Sequence, residues 1–83
     1  MTAKELLRLY NAGWHDFAYV NFKGEELRLA NFRDANLSYA WLEHANLHGA
    51  DLSRADLSNA NLCGVDLNNS WLEYADLRGA NLI

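Results

Sequence analysis

Ala50-Asp51-Leu52-Ser53-Arg54-Ala55-Asp56-Leu57-Ser58-Asn59-Ala60-Asn61-Leu62 repeats one pattern every five residues: a small residue, Asp or Asn, a leucine, then two variable positions. The same register extends from Val20 to the last residues. Its third position holds Phe22, Leu27, Phe32, Leu37, Leu42, Leu47, Leu52, Leu57, Leu62, Leu67, Leu72, Leu77 and Leu82, all large and apolar. The first position is Ala in nine of thirteen repeats, so it too is selected for fit. The second is Asn or Asp in ten, and the exceptions are Glu26, Trp41 and Trp71. His15-Asp16-Phe17-Ala18-Tyr19 is a degenerate earlier copy.

A period of five excludes the two regular structures. In an α-helix, at about 100° per residue, the leucines would wander around the cylinder and make no stripe. In a straight strand an odd period would flip every second leucine outward. One geometry keeps them all inside. Each repeat is a three-residue strand with positions one and three inward and two outward, followed by a corner at four and five. The fifth position agrees: seven of its twelve occupants after Val20 are Gly, Asn or Asp, which tolerate the positive φ of a type II turn. If each corner turns the chain by about 90°, four repeats close a coil of twenty residues. Stacked strands then rise by roughly 4.8 Å.

The run Ala50-Asp51-Leu52-Ser53-Arg54-Ala55-Asp56-Leu57 resembles the pentapeptide-repeat family, and the resemblance covers residues 15–83. It implies an all-β solenoid, a right-handed quadrilateral parallel β-helix of about three coils. The leader Leu6 to Phe17 is similar to the N-terminal capping segment of small cyanobacterial members. Residues 1–14 are accordingly read as a capping α-helix and linker, and 15–83 as the β-helix. The helix itself is legible over residues 2–12. Thr2 and Glu5 form a capping box in which the carboxylate reaches back to the Thr2 amide. Ala3, Leu6 and Tyr10 share one face, flanked by Leu7 and Leu9, and Gly13 takes the left-handed position after the helix. The helix is expected to plug the open edge of the first coil over Phe17 and Phe22.

With twenty residues per coil, residues twenty apart stack. Tyr19 falls on Tyr39, with Trp41 across the adjoining corner; Asp34 falls on Arg54 and pairs with it. Glu25, at an inward first position, escapes toward the cap, and Ser70 replaces alanine by bonding a carbonyl.

Eighty-three residues make one domain. The net charge of −4 argues against a nucleic-acid partner, which calls for a basic surface. No apolar run is long enough for a membrane span and no signal-peptide pattern is present, so a cytoplasmic location is expected. Cys63 is the only cysteine; at an outward fourth position it reads as an exposed, inert thiol. His44 and His48 are read as solvated turn residues, because their spacing of four carries a metal-ligand meaning only on a helix. Ser38, Ser53 and Ser58 sit where turns ordinarily carry serine. No catalytic residue, cofactor site or metal site is assigned, and an enzyme is not expected.

The function expected is a non-catalytic protein-interaction or scaffold module with an unidentified protein partner. Tyr19, Tyr39 and Trp41 are the candidate interaction patch, since an exposed aromatic cluster commonly marks a partner site. The alternative, implied by the resemblance, is a DNA mimic acting on a DNA-binding protein such as gyrase. Its weakness is the charge: only Asp51, Asp56, Asp66 and Asp76, with Glu26 a fifth, are acidic second positions in the repeats from Val20. Leu67, Leu72, Leu77, Leu82 and Ile83 would be left uncovered beside unpaired backbone groups, which leads to two alternative expectations: a homodimer through the C-terminal end, or a chain that is a fragment whose next repeats or cap are missing.

Overall fold

The backbone bonds of the repeats follow one rule in the computed structural model, which describes all 83 residues, Met1–Ile83. Each second-position residue from Asp16 to Asn61 bridges in parallel to the residue twenty further on, as in Asn36↔Asp56 and Trp41↔Asn61. The third-position N–H donates to the next coil (Leu37 N to Asp56 O, 2.7 Å), and the second-position N–H donates to the coil before (Asp56 N to Ala35 O, 2.9 Å). The fifth-position N–H adds another rung (Tyr39 N to Ser58 O, 3.0 Å). Four such bridge sites make one coil of twenty residues.

The expected three-residue strands are shorter than the period implied. Only the second position is bridged on its own, and the rest of each repeat belongs to corners. The cause is the turn. The third-position carbonyl accepts from the next first-position N–H, as in Ala40 N to Leu37 O at 3.1 Å. Fourth and fifth residues are therefore the centre of a four-residue turn with positive φ at its third position, the type II pattern. All thirteen fifth positions from Tyr19 to Gly79 have φ between 59° and 74°. Tyr19, Leu29, Tyr39, Arg54 and Tyr74 adopt it without being residues that favour it, because the ladder fixes the corner. Gly64 has a second reason to lack a side chain: a Cβ there would lie 2.5 Å from Nδ1 of His44, one coil earlier.

The selection for Asn and Asp at the second position also has a local cause. In twelve repeats the second-position side-chain oxygen accepts from the amide two residues on, at 2.9–3.3 Å; Glu26 does this with its longer carboxylate. This Asx turn satisfies the one corner amide that the ladder leaves free. Trp41 and Trp71 carry no acceptor, and no bond reaches the amides of Glu43 and Glu73.

The core is the inward pair of columns. Phe17, Phe22, Phe32 and the third-position leucines through Leu62 are buried, as are the first-position alanines from Ala35 to Ala60. Phe22 and Phe32 meet edge to face at 6.2 Å under the helix. Ser70 donates to the Leu67 carbonyl at 2.6 Å, and Glu25 is half-buried in the first coil.

Helix α1 spans Ala3–Asn11. The Thr2 hydroxyl accepts from the Glu5 amide at 3.2 Å. The Glu5 carboxylate turns to the Thr2 hydroxyl at 3.4 Å and not to its amide, so the capping box is half formed. Leu6 is buried in the core, Ala3, Leu9 and Tyr10 pack against it, and Leu7 stays exposed. Gly13 has φ 96°. The first coil has no coil before it, which leaves second- and fourth-position carbonyls without ladder donors. Two side chains of the leader supply donors to two of these eight carbonyls: Tyr10 Oη donates to Arg33 O and Trp14 Nε1 to Asp16 O, both at 2.7 Å. The leader thus ties down the edge by hydrogen bonds as well as by covering apolar surface.

Candidate functional site

Fifth-position side chains leave the corners in columns, and one column starts with two phenols. Tyr19 and Tyr39 stack with centroids 4.9 Å apart and planes within 6°. Both rings project from left-handed corners, with φ 62° and 59°. Trp41 follows on the adjoining face, and its indole joins no ring pair. Tyr19 and Tyr39 are therefore in contact, while Trp41 stands beside them, 55% exposed. Trp71 lies on the opposite face, 61% exposed, with Tyr74 exposed at its corner.

The charged side chains pair locally. Arg54 binds Asp34 through two bonds, Nε to Oδ1 at 2.7 Å and an η-nitrogen to Oδ2 at 3.0 Å, as the twenty-residue register implies. This hydrogen bonding holds the Asp34 carboxyl below its ordinary range and raises the Arg54 guanidinium. Two further pairs were not legible. Arg33 reaches Asp51 at 3.3 Å, across neighbouring columns. Burial pushes the Asp51 carboxyl up, but bonds from Ser53 and Arg33 outweigh it, and the net shift is downward. Arg78 folds back on Asp76 at 2.7 Å, and its side-chain and backbone bonds lower the carboxyl to about 2.

The serines are committed to turns. Ser38 Oγ donates to Asn36 Oδ1 at 2.7 Å and Ser58 Oγ to Asp56 Oδ1 at 2.6 Å. His44 is exposed against Gly64. His48 joins Arg28, Asn46 and Asp66 around an open concavity of 230 Å³ with no apolar residue in its lining. A ligand pocket ordinarily depends on apolar walls with a few polar groups, and this one has only the polar groups. Cys63 is half-buried, not exposed as its position implied; it lies in the fourth-position column between Glu43 and Ile83, with its amide on Asn61. Leu67, Leu72 and Leu77 are half-buried, Leu82 is 59% exposed and Ile83 is almost fully exposed. No helix is long and apolar enough to cross a membrane.

These features sit on a recognised scaffold. The family described as pentapeptide repeats matches residues 16–49, 30–69 and 45–83, in eight copies. Among solved structures, a pentapeptide-repeat protein from the thylakoid lumen of Arabidopsis thaliana is 27% identical, with a TM-score of 0.65 over 87% of this chain and 54% of its own. One from the cyanobacterium Cyanothece 51142 is 28% identical, with a TM-score of 0.51 over 82% of this chain and 44% of its own. One from Nostoc PCC 7120 is 36% identical, with a TM-score of 0.45 over 98% of this chain and 75% of its own. The chain spans about half the length of the first two. The likeness implies a right-handed β-helix. No curated protein matches the chain.

Proposed function

From the premise that this chain belongs to the pentapeptide-repeat family, whose members are generally non-catalytic, we propose that it is a protein-interaction or scaffold module. The leader, residues 1–14, seats the first coil, and residues 15–83 form a four-sided prism whose outward residues vary at the fourth and fifth positions.

One observation carries the reading. Trp41 stands where the fold uses Asn or Asp to hold a corner amide, and it leaves that amide without a partner while exposing an indole beside a stacked tyrosine pair. The fold has no use for such a residue at that position. Rigid aromatic side chains with low ordering cost are the usual anchors of a protein interface.

Trp41→Asn tests it. The regained amide bond contributes about 0.5–1.5 kcal/mol, and loss of the half-covered indole removes a similar amount. Stability is therefore expected to change by less than about 1 kcal/mol. A partner retained on immobilised wild-type protein from the source cells should be lost from the folded variant. Retention on the variant would remove Tyr19, Tyr39 and Trp41 as the interaction corner.

A further inference from the structure

The two repeats that lack the Asx acceptor share more than tryptophan. They read Trp41-Leu42-Glu43-His44 and Trp71-Leu72-Glu73-Tyr74. In each, a glutamate follows the indole at the fourth position and a ring occupies the corner. No other repeat has Glu at the fourth position. In ordinary repeats the second-position side chain reaches the fourth residue's amide, so these two positions lie side by side on one face. Each station therefore sets an exposed indole next to a carboxylate.

Neither carboxylate is neutralised. The ion pairs of the molecule are Asp34–Arg54, Arg33–Asp51 and Asp76–Arg78, and none involves Glu43 or Glu73. Lys23, one coil before Glu43 in the same column, makes no pair with it. Glu43 Oε1 is buried with no hydrogen-bond partner, whereas its Oε2 is not buried and takes no bond from the chain, so Oε2 is the oxygen open to a partner. An indole face attracts a cation through its quadrupole, and an adjacent carboxylate adds a charge-assisted hydrogen bond. The net charge of −4 favours the approach of a basic segment.

We propose that Trp41–Glu43 and Trp71–Glu73 are duplicate stations that each take an arginine side chain of a basic partner segment. The proposal rests on the interaction reading at Trp41, names its partner chemistry, and extends it to Trp71. The stations are thirty residues apart, one and a half coils of the observed register, and so face opposite ways across a body 22–23 Å wide. Each engages its own segment, which makes the module a bridge between two basic chains.

The test uses the full chain and a glycine–arginine hexapeptide, with the same peptide carrying neutral citrulline as control. Indole N–H signals in a nitrogen–proton correlation spectrum are followed through the titration. Those of Trp41 and Trp71 should move. That of Trp14, whose N–H is held by Asp16 O, should not. Calorimetry should give two peptides per chain. Glu43→Gln should weaken binding at Trp41 about tenfold, equivalent to ~1.4 kcal/mol, and leave Trp71 unchanged; Glu73→Gln should do the reverse. Equal response to the citrulline peptide, no response, or indifference to both glutamine variants overturns the proposal. A cellular partner lost with Trp41→Asn but retained with Glu43→Gln would overturn arginine recognition while leaving the interaction corner standing.

Discussion

Leu42, Leu62 and Leu82 occupy the same register in one inward column and differ in how much of the coil stack covers them. Leu42 is 0% exposed, Leu62 1% and Leu82 59%. Truncation to alanine removes the same atoms at each. What differs is whether the surroundings close on the space left. At Leu42 the coils on either side are held by the Asn21↔Trp41 and Trp41↔Asn61 bridges, which fix the spacing and prevent collapse. The expected loss there is in the upper part of the range for buried leucine, about 3–5 kcal/mol. Leu62 also has a coil on each side, but its neighbours Leu67 and Leu72 are half-buried, which lowers the expected loss to about 2–4 kcal/mol. At Leu82 most of the side chain is already in water, and the loss should stay under about 1 kcal/mol. For a chain of this size, with total stability of about 4–12 kcal/mol, the first change is severe and the last barely visible. Urea unfolding followed by circular dichroism, with an unchanged slope, reads the series directly. Equal losses at all three sites, or none at Leu42, would refute the inward column as the source of stability.

Four further expectations concern the Asx turn, the N-terminal cap and the Asp76–Arg78 pair. Asp56→Ala removes the acceptor of both Ser58 N and Ser58 Oγ and should cost about 1–2 kcal/mol in urea unfolding; no loss would mean that water replaces the Asx turn. Tyr10→Phe leaves Arg33 O without its donor and should cost about 1 kcal/mol by the same measurement, whereas deleting residues 1–12 should yield an aggregating product in light scattering; a truncation that stays monomeric and equally stable would show that the helix is no cap. The Asp76 carboxyl, lowered from 3.8 to about 2 by Arg78, contributes stability that is present above its ordinary value and lost as pH falls through the folded one. The melting temperature should therefore decline between pH 3.8 and about 2, by a smaller amount in Arg78→Met; identical declines in the two proteins would show that the exposed pair contributes nothing.

The period of five was enough to place the inward columns, because no regular helix or strand keeps Leu37, Leu42 and Leu47 on one side. The twenty-residue register then gave the pairs that stack vertically, Tyr19 on Tyr39 and Asp34 on Arg54. What remained hidden depends on side-chain direction within a repeat. The Asx turn is an interaction over two residues, so the column arithmetic does not contain it, although the pattern of Asn and Asp carries its trace. Arg33 and Asp51 are eighteen residues apart and meet diagonally, which requires knowing how a fourth-position side chain leans toward the next coil. Tyr10 and Trp14 were legible as apolar residues of the leader, but their donor roles appear only once the first coil's free carbonyls are located. Trp41 stood out by itself; its match with Trp71, and the glutamate beside each, became meaningful when both were seen to lack the same hydrogen bond.

Photocrosslinking inside the source cells tests the interaction corner most directly. A benzophenone side chain at Asn61, bridged to Trp41 in the same column, keeps Trp41 intact and places the reactive group one coil away. The same group at Asp66, on a face without tryptophan, is the comparison. The account predicts a protein adduct of defined mass from position 61, absent from position 66 and abolished by Trp41→Asn. Equal labelling from both positions, or labelling from 61 that survives the loss of Trp41, would contradict it.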